Sequence, residues 1–387
     1  MNYITNQLPS RIFTTNQQEY LWFSGTSYLG MPHHQGFKEN FAKALSQYGM
    51  SWGSSRNSNI RLDIYEKAEI ELAKFANMPA ALTVSSGMWA GQLVVNFLQK
   101  PNTKFFFAPK THPALWNGSS LQLEDWEKGL TYSEWASKIV EKVEECKAEN
   151  IVICSDSVGS PYVEAFDFQW VSKLPEGKSI TVVVDASHSF GVSEFGFVRF
   201  MDLRIKKTNI FKPLIQIIHK SDESKFRRGR LRLIITASLN KAMGLTGGVI
   251  LSDSETVSSI RQSPMFAGAS PMMPALLETF VNSLEYYIEQ QQKLSENITY
   301  FNSLIPQDSF LDSIENYPAY CTHKSGVHEY LKENGIMTAC FPYPTATDLP
   351  VTRLVVSALH LEEDLEKLAG LIGVLTLQAS LLSLRTQ

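Results

Sequence analysis

Short apolar runs alternate with helix-like segments over the first 250 residues of the chain. The apolar runs are rich in β-branched or aromatic residues: ALTVSS (81–86), KFFFA (104–108), IVICS (151–155), ITVVVD (180–185) and LIITA (233–237). Apolar residues at helical spacing mark 63–76, the stretch directly after ALTVSS, and 131–145. Strands that alternate with helices predict an α/β fold, in which a mostly parallel sheet is covered by helices on both faces.

The pattern changes after about residue 255, which indicates a second domain. A helix-rich stretch, LLETFVNSLEYYIEQQQKL (276–294), leads into a smaller α+β region that ends in a helix at 361–375. We predict an N-terminal segment at 1–45, a large domain at 46–275 and a small C-terminal domain at 276–387. A chain of 387 residues has the length of two to three domains.

Composition and charge exclude several classes of protein. With 44% apolar and 19% charged residues the chain has an ordinary globular composition, and its net charge of −4 gives no general affinity for nucleic acid. Four cysteines without C-x-x-C spacing predict reduced thiols in a cytoplasmic protein. No signal peptide is visible at the N-terminus. Polar residues interrupt the apolar stretch at 368–384, which favours a buried helix over a membrane span.

One segment of the large domain is strongly basic. Residues 199–232 contain eleven Lys or Arg residues and three acidic residues, although the chain as a whole is acidic. Such a run is most simply a solvated insertion. A surface for an acyl-carrier protein or for nucleic acid is the alternative.

Two motifs follow predicted strands and could bind a phosphorylated ring. In SSGMWAG (85–91) a strand runs into the start of a helix, where backbone N–H groups can bind a phosphate. In VVVDASHSFG (182–191), Asp185 stands at the end of a buried strand and His188 follows three residues later. A carboxylate there can keep a pyridine nitrogen protonated, and an imidazole can contact a phenolic oxygen. Each motif alone could be a simple helix cap.

Two further motifs supply a lysine and a second histidine. Lys241, in TASLNKAMGLTGG (236–248), follows a strand-like run and precedes a glycine-rich turn. A lysine in such a place can be partly desolvated and act as a Schiff-base nucleophile. His112, in THPALWNG (111–118), could stack on a cofactor ring. Taken singly, these are a loop lysine and a turn histidine.

The order of the four motifs is typical of an enzyme that uses pyridoxal 5′-phosphate (PLP). The aldehyde of PLP needs a lysine, its ring nitrogen a carboxylate and its phosphate backbone donors. A dinucleotide-binding enzyme would need G-x-G-x-x-G after a strand, and a serine hydrolase would need G-x-S-x-G. Neither pattern is present in the chain.

Nearly the whole chain resembles the α-oxoamine synthases, a family of fold-type-I PLP enzymes that includes 8-amino-7-oxononanoate synthase, 2-amino-3-ketobutyrate CoA ligase and serine palmitoyltransferase. GTSYLGM (25–31) is similar to the family's N-D-Y-L-G-L, and YGMSWGSSRNSNIR (48–61) to Y-G-x-G-x-G-G-S-R. SSGMWAG resembles S-G-x-x-A-N, THPALWNG resembles D-x-x-x-H-A-S-x-x-D-G, and DASHSFG resembles D-E-A-H-x-x-G. TRLVVSALHLEEDLEKL (352–368) resembles the closing motif R-L-R-x-x-x-x-A-x-H-x-x-x-D-I.

The resemblance implies a role for each matching residue. Lys241 would carry PLP, Asp185 would pair with the ring nitrogen, His188 would contact the ring oxygen and His112 would stack on the ring. Gly87, Met88 and Ser238 would hold the phosphate, with Ser270 reaching it from the neighbouring subunit of a homodimer. Arg353 would bind the carboxylate of the amino-acid substrate.

Three departures from the family pattern concern the surroundings of the site. Tyr65 replaces a histidine, Ala186 replaces a glutamate, and SDSVGSPYV replaces S-M-D-G-D. The last change leaves open whether Ser155, Ser157 or Ser160 makes the contact of the family's serine. These departures bear on the acyl substrate more than on the cofactor.

The implied fold has a large domain with a sheet of the seven-stranded type and a smaller α+β domain. The implied reaction is decarboxylative condensation of a small L-amino acid with an acyl-CoA or acyl-carrier-protein thioester, as in the 8-amino-7-oxononanoate synthase step of biotin biosynthesis. Two alternatives stay open. One is an aminotransferase or aldolase-type lyase of the same fold, and the other is a non-catalytic protein that binds a carrier.

Overall fold

The computed structural model describes residues 3–192, 231–343 and 347–385. The basic segment at 199–232 lies outside these ranges except for its last two residues. The described chain forms two compact units. We call them the central unit (Gln35–Gly159 and Ala165–Leu284) and the terminal unit (Met1–His34, Ser160–Glu164 and Glu285–Gln387). The C-terminal part of the terminal unit begins nine residues after the boundary expected from the sequence, and residues 1–34 belong to the same unit.

Fourteen strands occur in the described ranges. In chain order they are β1 (Ile12–Thr15), β2 (Gln18–Phe23), β3 (Ala80–Val84), β4 (Thr103–Phe107), β5 (Asn150–Asp156), β6 (Val158–Gly159), β7 (Glu164–Ala165), β8 (Ser179–Asp185), β9 (Leu231–Ser238), β10 (Gly248–Ser252), β11 (Asp312–Ser313), β12 (Ala319–Thr322), β13 (Ile336–Pro342) and β14 (Pro350–Val355).

Ten α-helices occur in the same ranges. They are α1 (Gln35–Tyr48), α2 (Ile64–Phe75), α3 (Gly87–Leu98), α4 (Tyr132–Glu145), α5 (Ser254–Arg261), α6 (Pro264–Gly268), α7 (Pro274–Val281), α8 (Leu284–Leu304), α9 (Val327–Glu333) and α10 (Glu362–Arg385). Short 3₁₀ helices add Met31–His33, Pro113–Leu115 and Gln169–Lys173.

The sheet of the central unit confirms the mostly parallel arrangement that the sequence predicts. Its described strands run in the order β3-β10-β9-β8-β5-β4, and β10 is antiparallel to both of its neighbours. The pairs β4–β5, β5–β8 and β8–β9 are parallel. Parallel strands end at the same edge of a sheet, and the register sets Asp156, Asp185 and Thr236 side by side there.

Helices bury the apolar strands of this sheet. Helix α3 packs against β9 and β10, and its buried residues Leu93 and Val94 join a core with Ile234 and Ile250. Helices α1 and α2 pack against α7. The buried Phe75 of α2 contacts Phe280 of α7 edge to face, with ring centroids 6.3 Å apart.

The terminal unit contains its own six-stranded sheet, in the order β1-β2-β13-β14-β12-β11. Strand β2 pairs in parallel with β13, whereas the other neighbours are antiparallel. This pairing explains why the N-terminal segment joins the C-terminal region. Helix α10 includes the apolar run at 368–384. No helix in the described part of the chain is long and apolar enough to cross a membrane.

Candidate active site

Asp185 ends the central strand β8 and is almost fully buried, with 6% of its surface exposed. One of its carboxylate oxygens accepts a hydrogen bond from the backbone N–H of Ser187 at 2.8 Å. The Ser187 hydroxyl accepts from the backbone N–H of Ser238 at 2.8 Å. The turn that holds Asp185 is therefore tied to the end of β9, three residues before Lys241.

Lys241 lies in the turn between β9 and β10. Two backbone hydrogen bonds shape this turn: the Gly244 N–H donates to the Lys241 carbonyl at 3.1 Å, and the Leu245 N–H donates to the Leu239 carbonyl at 2.9 Å. The half-buried Lys241 acts electrostatically on His112 and on Asp156, and in both cases its charge lowers the pKa. Lys241 is therefore close to both groups.

His112 follows β4 and caps the 3₁₀ helix Pro113–Leu115. Its Nδ1 accepts a hydrogen bond from the Ala114 N–H at 3.1 Å and lies 3.9 Å from Oδ2 of Asp185. Burial lowers the pKa of His112, and the charge of Lys241 lowers it further, although Asp185 opposes the change. Because Nδ1 is an acceptor, the neutral ring carries its proton on Nε2.

Asp156 is a member of this cluster that the sequence motifs did not reveal. The backbone N–H of His112 lies 3.2 Å from each of its two carboxylate oxygens. Burial and the charge of Asp185 raise the pKa of Asp156, whereas the His112 N–H and Lys241 act against the rise. The available signal was its place at the end of the IVICS strand, next to Asp185 in the sheet.

The N-terminus of α3 faces the end of β9. The Ser86 hydroxyl accepts from the Trp89 N–H at 3.1 Å, while the Gly87 and Met88 N–H groups have no partner in the part of the chain that the structure describes. A Cβ at Gly87 would come within 2.5 Å of the Ser238 Cβ. Only glycine allows this approach, which places free N–H donors beside the strand that leads to Lys241.

The remaining predicted residues of the central unit differ in their surroundings. His188 lies in the turn after β8 and is half-buried. Ser270 is exposed and lies between α6 and α7, and among the described residues it forms no hydrogen bond to the other candidate residues. The hydroxyl of Tyr65, which replaces the family's histidine, donates to the Met272 carbonyl at 2.8 Å.

The three serines that could replace the family's serine lie in different surroundings. Ser157 donates its backbone N–H to the Asp185 carbonyl at 2.9 Å and shares a hydroxyl hydrogen bond with Ser189 at 2.8 Å. The Ser155 hydroxyl donates to the Asp156 carbonyl at 2.8 Å. Ser160 belongs to the terminal unit. Ser157 is therefore the serine that is bonded directly to the Asp185 turn.

Arg353, on β14 of the terminal unit, is buried with 6% of its surface exposed. Its Nη2 donates to the Tyr28 hydroxyl at 2.9 Å and its Nη1 to the Gly25 carbonyl at 3.2 Å. The buried Nε has no partner in the described residues. Although burial lowers the pKa of Arg353, the hydroxyls of Tyr28 and Tyr317 raise it, and the net change is upward.

The residues of the central unit fit PLP in three respects. The free N–H groups of Gly87 and Met88 can bind the phosphate, and the buried carboxylate of Asp185 can pair with a pyridinium nitrogen. The third is the buried hydroxyl of Thr236, beside Asp185 in the sheet, which has no hydrogen-bond partner among the described residues. Unpartnered buried polar atoms are rare in proteins, and this one lies beside Asp185 in the sheet.

Comparison with known proteins identifies the family of the chain. The family model for aminotransferases of class I and II matches residues 19–372. An 8-amino-7-oxononanoate synthase from Buchnera aphidicola subsp. Baizongia pistaciae is 22% identical over 381 residues, with 93% of this chain and 90% of that protein covered.

Solved structures share the fold. The serine palmitoyltransferase of Sphingomonas wittichii gives a TM-score of 0.76 at 15% identity, covering 96% of this chain and 91% of that one. The 8-amino-7-oxononanoate synthase of Francisella tularensis gives 0.66 at 19% identity, covering 93% and 99%. A related serine palmitoyltransferase structure contains PLP. The chain therefore belongs to the class I and II aminotransferase family, as a PLP-dependent enzyme of fold type I whose relatives fit the α-oxoamine synthases.

Proposed function

We propose that the protein condenses a small L-amino acid with an acyl thioester and releases CO₂ and an α-oxoamine. The observation that carries the proposal is the cluster at one edge of the central sheet. There Asp185, His112 and Asp156 lie beside the turn of Lys241, and the free N–H groups of α3 face the same strand end. The relatives named 8-amino-7-oxononanoate synthase and serine palmitoyltransferase perform reactions of this class by name.

PLP, when bound, supplies an electron sink for negative charge at the α-carbon of the amino acid. Asp185 keeps that sink effective because its buried carboxylate can hold a proton on the pyridine nitrogen. The Ser187 N–H holds one carboxylate oxygen at 2.8 Å, so that the other oxygen is available to the ring. The hydrogen bond from the Ser238 N–H to the Ser187 hydroxyl, at 2.8 Å, ties the turn that holds this carboxylate to the strand end that leads to Lys241.

Lys241 and His112 are the groups that could move or hold protons at the reacting atoms. We expect Lys241 to carry the cofactor, and its amine could take the α-proton of the amino acid at Nζ and return it. His112 has its Nδ1 occupied by the Ala114 N–H, so it can offer its Nε2–H to the carbonyl oxygen of the thioester. The lowered pKa of His112 favours the neutral ring that this role requires.

Arg353 suits the task of binding the amino-acid carboxylate. Its guanidinium is fixed by Tyr28 and Gly25, and its buried Nε–H still needs an acceptor. A planar guanidinium that is already held in place can bind a carboxylate with little loss of side-chain entropy. This role would make Arg353 the residue that separates amino acids from simple amines.

The proposal also covers the cellular compartment, the oligomeric state and the first substrates to test. We expect a cytoplasmic homodimer with its sites at the subunit interface, where the exposed loop of Ser270 could reach the neighbouring phosphate. All four cysteines are free thiols, which is consistent with a reducing compartment. Alanine with a thioester of 8-amino-7-oxononanoate synthesis is the first substrate pair to test, because full-length relatives carry that name.

The proposed reaction can be tested with the purified, PLP-loaded protein. Alanine, glycine and serine are each combined with a series of acyl-CoA and acyl-carrier-protein thioesters, and release of the free thiol is measured. We expect thiol release that requires both substrates. Transfer of the amino group to a keto acid without any thioester would instead identify an aminotransferase, and cleavage of a β-hydroxy amino acid would identify a lyase. Thioester binding without turnover would identify a carrier-binding protein.

A further inference from the structure

A second polar cleft lies in the central unit, between the segment before α2 and the end of α5. It is a narrow cleft that opens to solvent. Its lining consists of Trp52, Arg56, Arg61, Leu62, Tyr65, Glu66 and Arg261. None of these residues belongs to the predicted cofactor or amino-acid site. The cleft thus contains three guanidinium groups, which are the side chains best suited to bind an oxyanion.

Arg56 is buried, yet much of its hydrogen-bonding capacity is unused. All of its hydrogen bonds leave from Nη1: to Oε1 of Glu69 at 2.6 Å, and to the carbonyl and hydroxyl of Thr83 at 3.2 and 3.1 Å. Its Nε and Nη2 have no acceptor among the described residues. The side chain is only 4% exposed, and it lines the cleft. A ligand that accepts from these charged donors would gain charge-assisted hydrogen bonds.

The aromatic residues around Arg56 fix its orientation. The guanidinium carbon lies 4.2 Å from the ring centroid of Tyr65 and 5.4 Å from that of Phe266. Tyr65 is itself anchored through its hydroxyl to the Met272 carbonyl. A planar cation held in this way is already arranged to receive two oxygen atoms in its plane.

The charge in the cleft favours an anion. Glu69 is shared between two arginines, since its Oε2 lies 2.6 Å from Nη2 of Arg261. Burial opposes ionisation of Glu69, but the two guanidiniums hold its pKa below the usual value. Arg61 is exposed, and within the described ranges its one hydrogen bond runs from Nε to the Ser58 carbonyl at 3.3 Å. Three arginines against Glu69 and Glu66 leave one positive charge.

We propose that this cleft is a binding site for the carboxylate group of a small organic molecule. Arg56 and Arg61 supply the paired N–H donors, while Trp52 and Leu62 line the cleft with apolar surface that suits a short carbon chain. A phosphate fits less well because the lining contains no lysine and no hydroxyl group of Ser or Thr, and Glu66 would repel a dianion. The site does not depend on the proposed catalytic function.

Calorimetric titration of the full-length, PLP-loaded protein tests the proposal. The probe is glutarate, with the neutral glutaramide and inorganic phosphate as comparisons. Arg61→Gln removes one proposed donor that forms no ion pair in the described structure, so the fold should be kept. Lys43→Gln, an exposed charge loss on α1, is the matched control.

We expect saturable binding of glutarate to the parent protein and to Lys43→Gln. Binding should weaken roughly tenfold or more in Arg61→Gln, the effect of losing a charge-assisted hydrogen bond. The proposal is overturned if glutarate does not bind, or if Arg61→Gln binds it as the parent does. It is also overturned if glutaramide or phosphate binds equally well. These outcomes are independent of catalysis, because thiol release is not part of the measurement.

Discussion

The backbone N–H of His112 lies 3.2 Å from both carboxylate oxygens of Asp156. This bond connects the end of β5 to the segment after β4, and it fixes where the His112 ring stands relative to Asp185. Asp156 and Asp185 are register partners on neighbouring parallel strands. The segment of His112, which we propose stacks on the cofactor ring, is thus held by a carboxylate on the strand next to β8, and β8 carries the carboxylate proposed to pair with the pyridine nitrogen.

Removal of the Asp156 carboxylate should weaken cofactor binding. In Asp156→Ala the His112 N–H loses its acceptor and the ring loses its anchor, so we expect PLP affinity to fall by about 1–3 kcal/mol. Asp156→Asn keeps an acceptor oxygen and should lose less. Titration of the apoprotein with PLP, followed by absorbance, measures the effect. Equal affinities for the parent and the alanine variant would show that Asp156 does not position His112.

Asp185→Asn should retain PLP but lose most turnover. An amide cannot hold a proton on the pyridine nitrogen, so negative charge at the substrate α-carbon would lose its stabilisation. Cofactor content and the thioester-dependent rate are measured together. The matched control is Asp253→Asn, because Asp253 caps α5 through the Thr256 N–H at 2.8 Å and asparagine caps helices equally well. If both variants keep the parent rate, Asp185 is only structural.

Arg353→Ala should weaken the binding of amino acids more than that of simple amines. Loss of a charge-assisted hydrogen bond to the carboxylate corresponds to roughly 1.5–3 kcal/mol. Spectral titrations with alanine and with ethylamine separate the two effects. A variant at Tyr28, Tyr28→Phe, should show a smaller loss of the same kind because it releases Nη2 of Arg353. Parallel losses for alanine and ethylamine would indicate that Arg353 only supports the fold.

The unfavourable protonation of buried His360 should make the folded protein less stable in mild acid. Burial lowers its pKa from 6.5 to about 4, and its ring stacks on Phe23 with centroids 3.9 Å apart. Between pH 6.5 and pH 4, the imidazole of this residue is protonated in the unfolded chain but neutral in the folded chain. Stability is therefore complete above pH 6.5 and is lost as the pH falls toward 4, by about 3 kcal/mol in total.

Urea unfolding at pH 8 and pH 5 measures this dependence in the parent and in His360→Asn. The variant should be less stable at pH 8, because it loses the hydrogen bonds of the ring to Ser357 and Trp22. Its stability should fall less between the two pH values than that of the parent. An equal fall in both proteins would mean that other groups cause the acid sensitivity.

The sequence predicted the parts of the site that follow from local pattern. Asp185 ends one apolar strand, Lys241 follows the end of another by three residues and Gly87 begins a helix after a third, so their place at the sheet edge could be inferred from periodicity. The place of Asp156 at the end of the IVICS strand was a signal for the same sheet edge, but only the register between β5 and β8 shows that it is next to Asp185.

Long-range contacts account for the rest of what the sequence did not reveal. The bond between Arg353 and Tyr28 joins residues 325 positions apart, and the ion pair between Glu69 and Arg261 joins residues 192 apart. The pairing of β2 with β13 likewise brings the N-terminal segment into the C-terminal sheet. Such contacts depend on the topology of the whole chain, which no local motif specifies.

The central claim is that the enzyme forms a carbon–carbon bond and releases the substrate carboxyl group as CO₂. The most direct measurement uses alanine labelled with ¹³C in its carboxyl group, together with the best thioester from the panel. We predict that labelled CO₂ and free thiol appear in equal amounts and that Lys241→Ala releases neither. Thiol release with the label retained in the amino acid or in the product would contradict decarboxylative condensation.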